Sequence, residues 1–169
     1  MLPNLTLFHD PSINYDVVEK VVEELKITYE IGVQLIKRRE LEIITFNKAR
    51  NQYNGQKLLN KLIDEENITY FLWLVNEDLY VPGRNFVFGL ATQFYGGIVS
   101  FFRLESTNMK IKESIHECGH ILGLGHCKEV CVMQYSKNLE EAILKPTYLC
   151  WKCKAMLKET EKKIDKNKD

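Results

Sequence analysis

The sequence predicts an α/β (α+β) fold, a mixed twisted sheet packed with helices, and three observations carry that prediction. Short apolar runs suited to strands alternate with stretches of helical periodicity. One run, residues 69–75, is almost wholly apolar and aromatic, the pattern of a central strand covered on both faces. The length, 169 residues, makes one domain with room for a proper core.

The elements follow in order. Residues 5–8 form a short first strand, after which Asp10-Pro11-Ser12 turns the chain into a helix at about 14–25. There Val17, Val18, Val21, Val22 and Leu25 recur at helical spacing. Residues 27–36 read as a second strand, with Tyr29, Ile31, Val33 and Leu35 alternating on one face. A polar loop through Asn47, Asn51 and Asn54 precedes a second helix at about 55–65. After the central strand, residues 86–90 and 97–104 are strands, followed by a long helix at about 108–124. A last helix starts near Pro146 and carries two cysteines at its head. The stretch 158–169 is nearly all charged or polar and reads as a solvated helix end.

Composition narrows the partners. Lys and Arg (23) balance Asp and Glu (23), so charge makes no case for nucleic acid. No apolar run is long enough to span a bilayer, and no membrane partner is expected. The start, MLPNLTLFHD, lacks a basic segment followed by a long apolar stretch, so no secretory signal is evident. A cytoplasmic monomer is the expectation.

The segment His116-Glu-Cys-Gly-His-Ile-Leu-Gly-Leu-Gly-His126 fits HExxHxxGxxH without mismatch. Residues four apart share a helix face, so His116 and His120 can point at one ion. Glu117 stands next to the first ligand, near enough to handle a water there without itself being a ligand. Gly123 can adopt a backbone conformation that ends the helix and returns His126 to the same ion. Three imidazoles leave one tetrahedral position for water, the arrangement of a catalytic zinc. The plain alternative is an amphipathic helix with incidental histidines, since Ile115, Ile121, Leu122 and Leu124 bury a face. Yet three of the chain's four histidines fall in this segment, and that favours zinc.

Four cysteines follow: Cys127, Cys131 and the pair Cys150 and Cys153. Two close pairs suit a closed structural zinc site, and a reducing cytoplasm favours metal over disulfides. Two disulfides or unrelated buried thiols are the alternatives. Cys118, inside the helix, reads as a small buried hydrophobe. Neighbouring side chains of extended backbone point to opposite sides, so His126 and Cys127 can serve two ions from one short segment.

With HExxHxxGxxH, Cys127, Cys131, Met133 and Cys150-Trp-Lys-Cys153 in this order, the chain resembles the archaemetzincin family. Residues 76–89 and 98–104 are also similar to the family's stretch leading up to the helix, so the likeness covers most of the chain. The loop between Cys127 and Cys131 and the gap from Met133 to Cys150 are each one residue shorter than in the usual family pattern. The resemblance implies a metzincin-like zinc metalloprotease fold with a small C-terminal zinc-stapled subdomain and two zinc ions per chain, one catalytic and one structural. It divides the single domain into an N-terminal subdomain at 1–125, with the sheet and active-site helix, and a C-terminal subdomain at 126–157. It also implies a Met-turn at Met133, packed as an apolar floor beneath the metal.

In some other metzincins a tyrosine two places after that methionine reaches the zinc or the developing oxyanion. Tyr135 has that spacing and is a candidate transition-state stabiliser, although an aromatic lining the cleft wall is the favoured reading. The strand at 97–104 would form the sheet edge above the cleft, where an extended peptide adds as another strand; an internal strand is the alternative. Arg84 and Arg103 stand ready for a substrate carboxylate or for solvent. The implied activity is peptide-bond hydrolysis with Glu117 as general base. A chain that begins almost at its first strand shows no pro-segment, which favours short peptides over folded proteins as substrates. The rival readings are a zinc-stabilised binding module with little catalysis and an amidase or aminopeptidase of small substrates.

Overall fold

The computed structural model describes residues 1–166, apart from the side chains of Leu35 and Ile36; residues 167–169 of the predicted tail, and the predicted facing of Leu35, lie outside that description. Strand β1 (Leu5–His9) leads to helix α1 (Tyr15–Tyr29), capped by the Asn14 side chain, which accepts from the Asp16 amide. The helix does not stop at Leu25. Its buried stripe of Val18, Val21, Val22, Leu25 and Tyr29 continues at helical spacing, and the Tyr29 hydroxyl donates to the Ile115 carbonyl at 2.6 Å. Residues 27–29 are therefore the last turn of α1, and the second strand, β2 (Val33–Arg38), starts six residues after the predicted point. The expected alternation failed because Tyr29 satisfies a helical and a strand pattern equally well.

The loop predicted through Asn47, Asn51 and Asn54 contains a 3-10 turn (Ile43–Thr45) and two short strands, β3 (Phe46–Asn47) and β4 (Gln52–Asn54). Asn54 caps α2 (Gly55–Glu66), its side chain accepting from the Lys57 amide. Then come β5 (Phe71–Val75), β6 (Leu79–Tyr80), β7 (Gly89–Thr92) and β8 (Gly96–Ser100). Helices α3 (Thr107–Ile121), α4 (Leu139–Leu144) and α5 (Trp151–Lys166) complete the chain. Helix α4 is not among the predicted elements, and α5 begins five residues beyond Pro146.

The main sheet has five strands in the order β2-β1-β5-β8-β7, parallel except for β7, which runs antiparallel to β8. A small second sheet joins β3, β4 and β6. Strand β5 is central, and its alternation sorts two cores. Leu72 and Leu74 face α1 and α3, while Phe71, Trp73 and Val75 face Leu58, Leu59 and Leu62 of α2. The predicted burial of this strand on both faces is thus what the fold uses.

The strand expected at the sheet edge is internal. β8 lies between β5 and β7, and β7 is the edge. The chain folds back through a tight turn in which Phe94 adopts a left-handed backbone, φ 65°, without a glycine or asparagine to announce it. The Phe94 amide donates to the Ile121 carbonyl at 2.8 Å, tying this turn to the end of α3. No helix among the described residues is long and apolar enough to cross a membrane.

Candidate metal centre and cleft

Helix α3 starts at Ser106, whose hydroxyl accepts from the Met109 amide, and crosses β8 and β7 with one face toward an open cleft. His116, Glu117 and His120 stand on that face. The helix ends after Ile121 because Gly123 takes φ 95°, with the Leu124 amide donating back to the Gly119 carbonyl at 2.9 Å. The chain then returns His126 to the helix face. Its ring lies 5.4 Å from that of His116 and 4.8 Å from that of His120, centroid to centroid.

Hydrogen bonds orient two of these rings. Nδ1 of His116 faces the Val132 carbonyl at 2.9 Å, and Nδ1 of His120 faces the Leu124 carbonyl at 2.8 Å. A carbonyl only accepts, so each Nδ1 carries the proton and each neutral ring turns an Nε2 lone pair inward. Those two Nε2 atoms are 3.1 Å apart. Two lone pairs at that separation repel unless a cation lies between them, and a tetrahedral zinc with Zn–N near 2.0–2.1 Å sets its ligand nitrogens roughly 3.3 Å apart. Burial lowers the proton affinity of His116, His120 and His126, and the Lys145 charge adds to it, so all three favour the neutral ligand form.

Glu117 is 5% exposed, and its Oε2 has no hydrogen-bond partner. Burial, reinforced by the nearby Glu113 carboxylate, pushes its carboxyl up to about 8; a dication beside it would oppose that shift. The carboxylate fits only because residue 89 is glycine. A Cβ there would lie 2.6 Å from Glu117 Cγ and 2.7 Å from Oε1. Gly119 does the same for Met133, whose fully buried thioether lies against the helix beside the spot a Cβ would take.

The four cysteines also gather. Cys127, Cys131, Cys150 and Cys153 place their sulfurs within 4.8 Å of one another, as the three histidines do their nitrogens. The 127–150 and 131–153 separations are both 3.7 Å, far beyond a disulfide's 2.05 Å or so and close to the edge of a tetrahedron with Zn–S near 2.3 Å. Backbone amides of Glu129 and Cys150 donate to Cys127 and Cys131 sulfurs, as suits thiolates. The Cys127 amide donates to the Met133 carbonyl at 2.9 Å, so the segment bearing His126 is pinned to the methionine loop. Cys118 is a buried member of the apolar core.

A cleft of about 860 Å³ opens over the histidines, between the segment from Val81 to Gln93 and the wall of Tyr135, Ser136 and Lys137. Tyr135 packs its ring 5.0 Å from that of His126 and accepts a hydrogen bond from Arg84. Arg103 is not free for a ligand: it grips Asp78 through two bonds of 2.8 and 2.7 Å and stacks 4.4 Å from the Phe86 ring. Gln52 also donates to Asp78 and to the Asn85 carbonyl, at 2.9 Å each, so the upper cleft wall is tied down. Sequence reasoning missed Gly89, Asp78, and a buried pair of Glu113 and Lys145 in the cleft. Gly89 alone had a signal, as a glycine between apolar residues of a strand-like run.

The chain is similar to known proteins in sequence and in fold. The family model described as Peptidase family M54 matches residues 12–159. The chain is 35% identical over 153 residues to an archaemetzincin of Nanoarchaeum equitans, covering 90% of this chain and 86% of that one. Its fold is similar to the crystal structure of archaemetzincin from Methanopyrus kandleri, with TM-score 0.84 and 32% identity over 94% of this chain and 96% of that one. It is also similar to archaemetzincin from Archaeoglobus fulgidus, crystallised with malonate, with TM-score 0.81 and 30% identity over 89% and 98% of the two chains.

Proposed function

Because the chain belongs to peptidase family M54, the archaemetzincins, and is a zinc-dependent metallopeptidase, we propose that it hydrolyses short peptides with Glu117 as general base. On this reading His116, His120 and His126 hold the catalytic zinc. Cys127, Cys131, Cys150 and Cys153 hold a structural one, making two per chain. The carrying observation is the convergence of two inward Nε2 lone pairs at 3.1 Å beside an unpartnered Glu117 carboxylate.

Bound zinc lowers the pKa of water toward neutrality and polarises the scissile carbonyl. Glu117 takes the proton of the attacking water and hands it to the leaving amine; its buried, unpartnered oxygen suits both steps. The peptide main chain extends along the free edge of β7, where backbone groups await a partner strand. That edge is four residues long, which fits a short extended segment rather than a folded protein. Met133 supplies the apolar floor, and Tyr135 the cleft wall.

The segment 126–157 acts in this reading as a subdomain stapled by its own zinc, which fixes the third histidine through Cys127. Thiols in place of disulfides suit a reducing compartment, and the reading includes the cytoplasm. The test is zinc content together with cleavage of a random peptide mixture. The wild type should carry two zinc ions and cleave. Glu117→Ala should keep both ions and lose about 10²–10⁴-fold in turnover. Zinc retained with undiminished hydrolysis would overturn the base assignment.

A further inference from the structure

The hydrolytic reading leaves one buried feature of the cleft without a role. Glu113 precedes Glu117 by four residues on α3, so it faces the cleft one turn, about 5.4 Å, toward the helix N-terminus. Its carboxylate meets the Lys145 ammonium at 2.5 Å, with both side chains at most 5% exposed. Lys145 reaches this position from the opposite wall. Pro146 bars it from helical backbone, so α4 ends at Leu144 and residue 145 turns extended, with ψ 147°.

Fastening α4 to α3 does not require this pair. Lys112 already donates to the Ile143 carbonyl at 2.7 Å. Nor is a buried ion pair in general more stabilising than apolar residues of the same size. The chemistry left over points outward, into the cleft. An ammonium has three donors, and Lys145 has one side-chain partner among the described residues, Glu113. The Ser136 hydroxyl, which also lines the cleft, is buried and has no partner. Charge decides what these donors suit. Arg84, Lys137 and Lys145 line the cleft against Glu113 and Glu117, three cations to two carboxylates, before any dication is counted.

We propose that Lys145, held in place by Glu113 and helped by Ser136, is a specificity-determining residue that binds a carboxylate of the substrate. The proposal rests on the hydrolytic reading in one respect, the side of the scissile bond. Glu117 protonates the departing nitrogen, so that nitrogen sits beside Glu117, and its own residue extends along α3 toward Glu113. The carboxylate belongs to the residue that leaves as the new amine. An acidic side chain and the C-terminal carboxyl of a peptide ending there offer the same chemistry.

Two series separate these sources and also separate this proposal from the catalytic one. In the first, peptides differ only in the residue after the cleaved bond (Glu, Gln or Lys), each with a free or amidated C-terminus. In the second, uncleavable hydroxamate analogues of the same set are titrated into zinc-loaded protein. The acid-bearing or free-carboxyl compound should bind about ten-fold more tightly than its neutral isostere, read in KM and in the hydroxamate Kd. Lys145→Met should bring that ratio to about one, and Ser136→Ala should reduce it part of the way. Since Lys145→Met strands a buried carboxylate, Glu113→Gln with Lys145→Met provides the same reading without an unpaired charge. A ratio near one in the wild type, a preference for Lys, or an acid preference that survives the loss of Lys145 would overturn the proposal. Hydroxamate selectivity without cleavage of any peptide would retain the subsite and refute the peptidase mechanism; cleavage without selectivity would do the reverse.

Discussion

His126 and Cys127 are adjacent, yet the two clusters they join differ in access. The imidazoles line a cleft of about 860 Å³, and His126 is exposed at its rim. The thiols are shut in: Cys131 is 0% exposed, Cys153 3% and Cys150 9%, with Cys127 half-buried. Three donors facing a cavity leave room for a reacting molecule, whereas four donors in a closed shell complete the coordination of an ion. Donor type, donor number and access thus all differ between the clusters, and on the proposed reading they separate a reacting site from a scaffold. Backbone couples the two clusters, through the Cys127 amide on the Met133 carbonyl and the Val132 carbonyl on His116.

Breaking the closed cluster should have the largest effect. Structural zinc in small peptide domains contributes roughly 10–16 kcal/mol of apparent binding free energy near neutral pH. Cys150→Ser with Cys153→Ser should therefore melt the segment after α3, lower the Tm sharply and weaken zinc at the histidines as well. Zinc analysis and thermal unfolding check this. A variant that keeps full affinity at the histidine site would show the clusters to be independent. A graded chelator should make the same contrast from the other side, removing activity while the thiol-bound ion and the far-ultraviolet circular dichroism persist.

The two clusters were legible in the sequence because ligand spacing is local. HExxHxxGxxH fits within one helix and its turn, and the cysteines come in two short-range pairs. Strand β5 was legible as well, since burial on both faces leaves an unbroken apolar run. What could not be read depends on chain crossings. Glu113 and Lys145 are ordinary charged residues until α4 folds back on α3. The edge position of β8 rested on family resemblance, and the return of β7 beside it hinges on Phe94, whose left-handed backbone no residue preference announces. The start of β2 was misplaced for a local reason, Tyr29 serving a helical stripe within an alternating pattern.

The open cluster can be tested without touching a ligand. Gly89→Ala places a methyl group where the Glu117 carboxylate now lies, 2.6–2.8 Å from three of its atoms. The obstacle is a side chain that can swing, so stability should fall by only about 1 kcal/mol or less, while misplacement of the base should lower kcat about ten-fold or more. Zinc content should not change. Unaltered kcat would mean that Glu117 is not held where its chemistry needs it. The effect belongs to the open site, since the nearest atoms that a Cβ at residue 89 would meet are those of Glu117.

A weaker effect is expected from the cleft's upper wall. Arg103→Ala removes two bonds to Asp78 and the stacking on Phe86. The arginine side chain is 41% exposed, so solvent discounts the ion pair, and a loss of about 1 kcal/mol is expected. KM for peptides should rise a few-fold as the segment at 81–88 loosens, with the thiol-bound zinc unaffected. A rise in unfolding midpoint, or a change in zinc content, would contradict a role confined to this wall.

The smallest effect is expected at Tyr135, which packs beside the third histidine. Its hydroxyl is engaged by Arg84, and its ring packs edge-on against His126. Removing the hydroxyl leaves the ring and its contact with the third histidine, so Tyr135→Phe should change kcat less than about two-fold. A residue that steadied the developing oxyanion would instead cost on the order of 10²-fold on losing its donor. Single-turnover rates on one peptide decide between these. A large drop would move Tyr135 from the cleft wall to the reacting atoms, and would imply that Arg84 releases it when substrate binds.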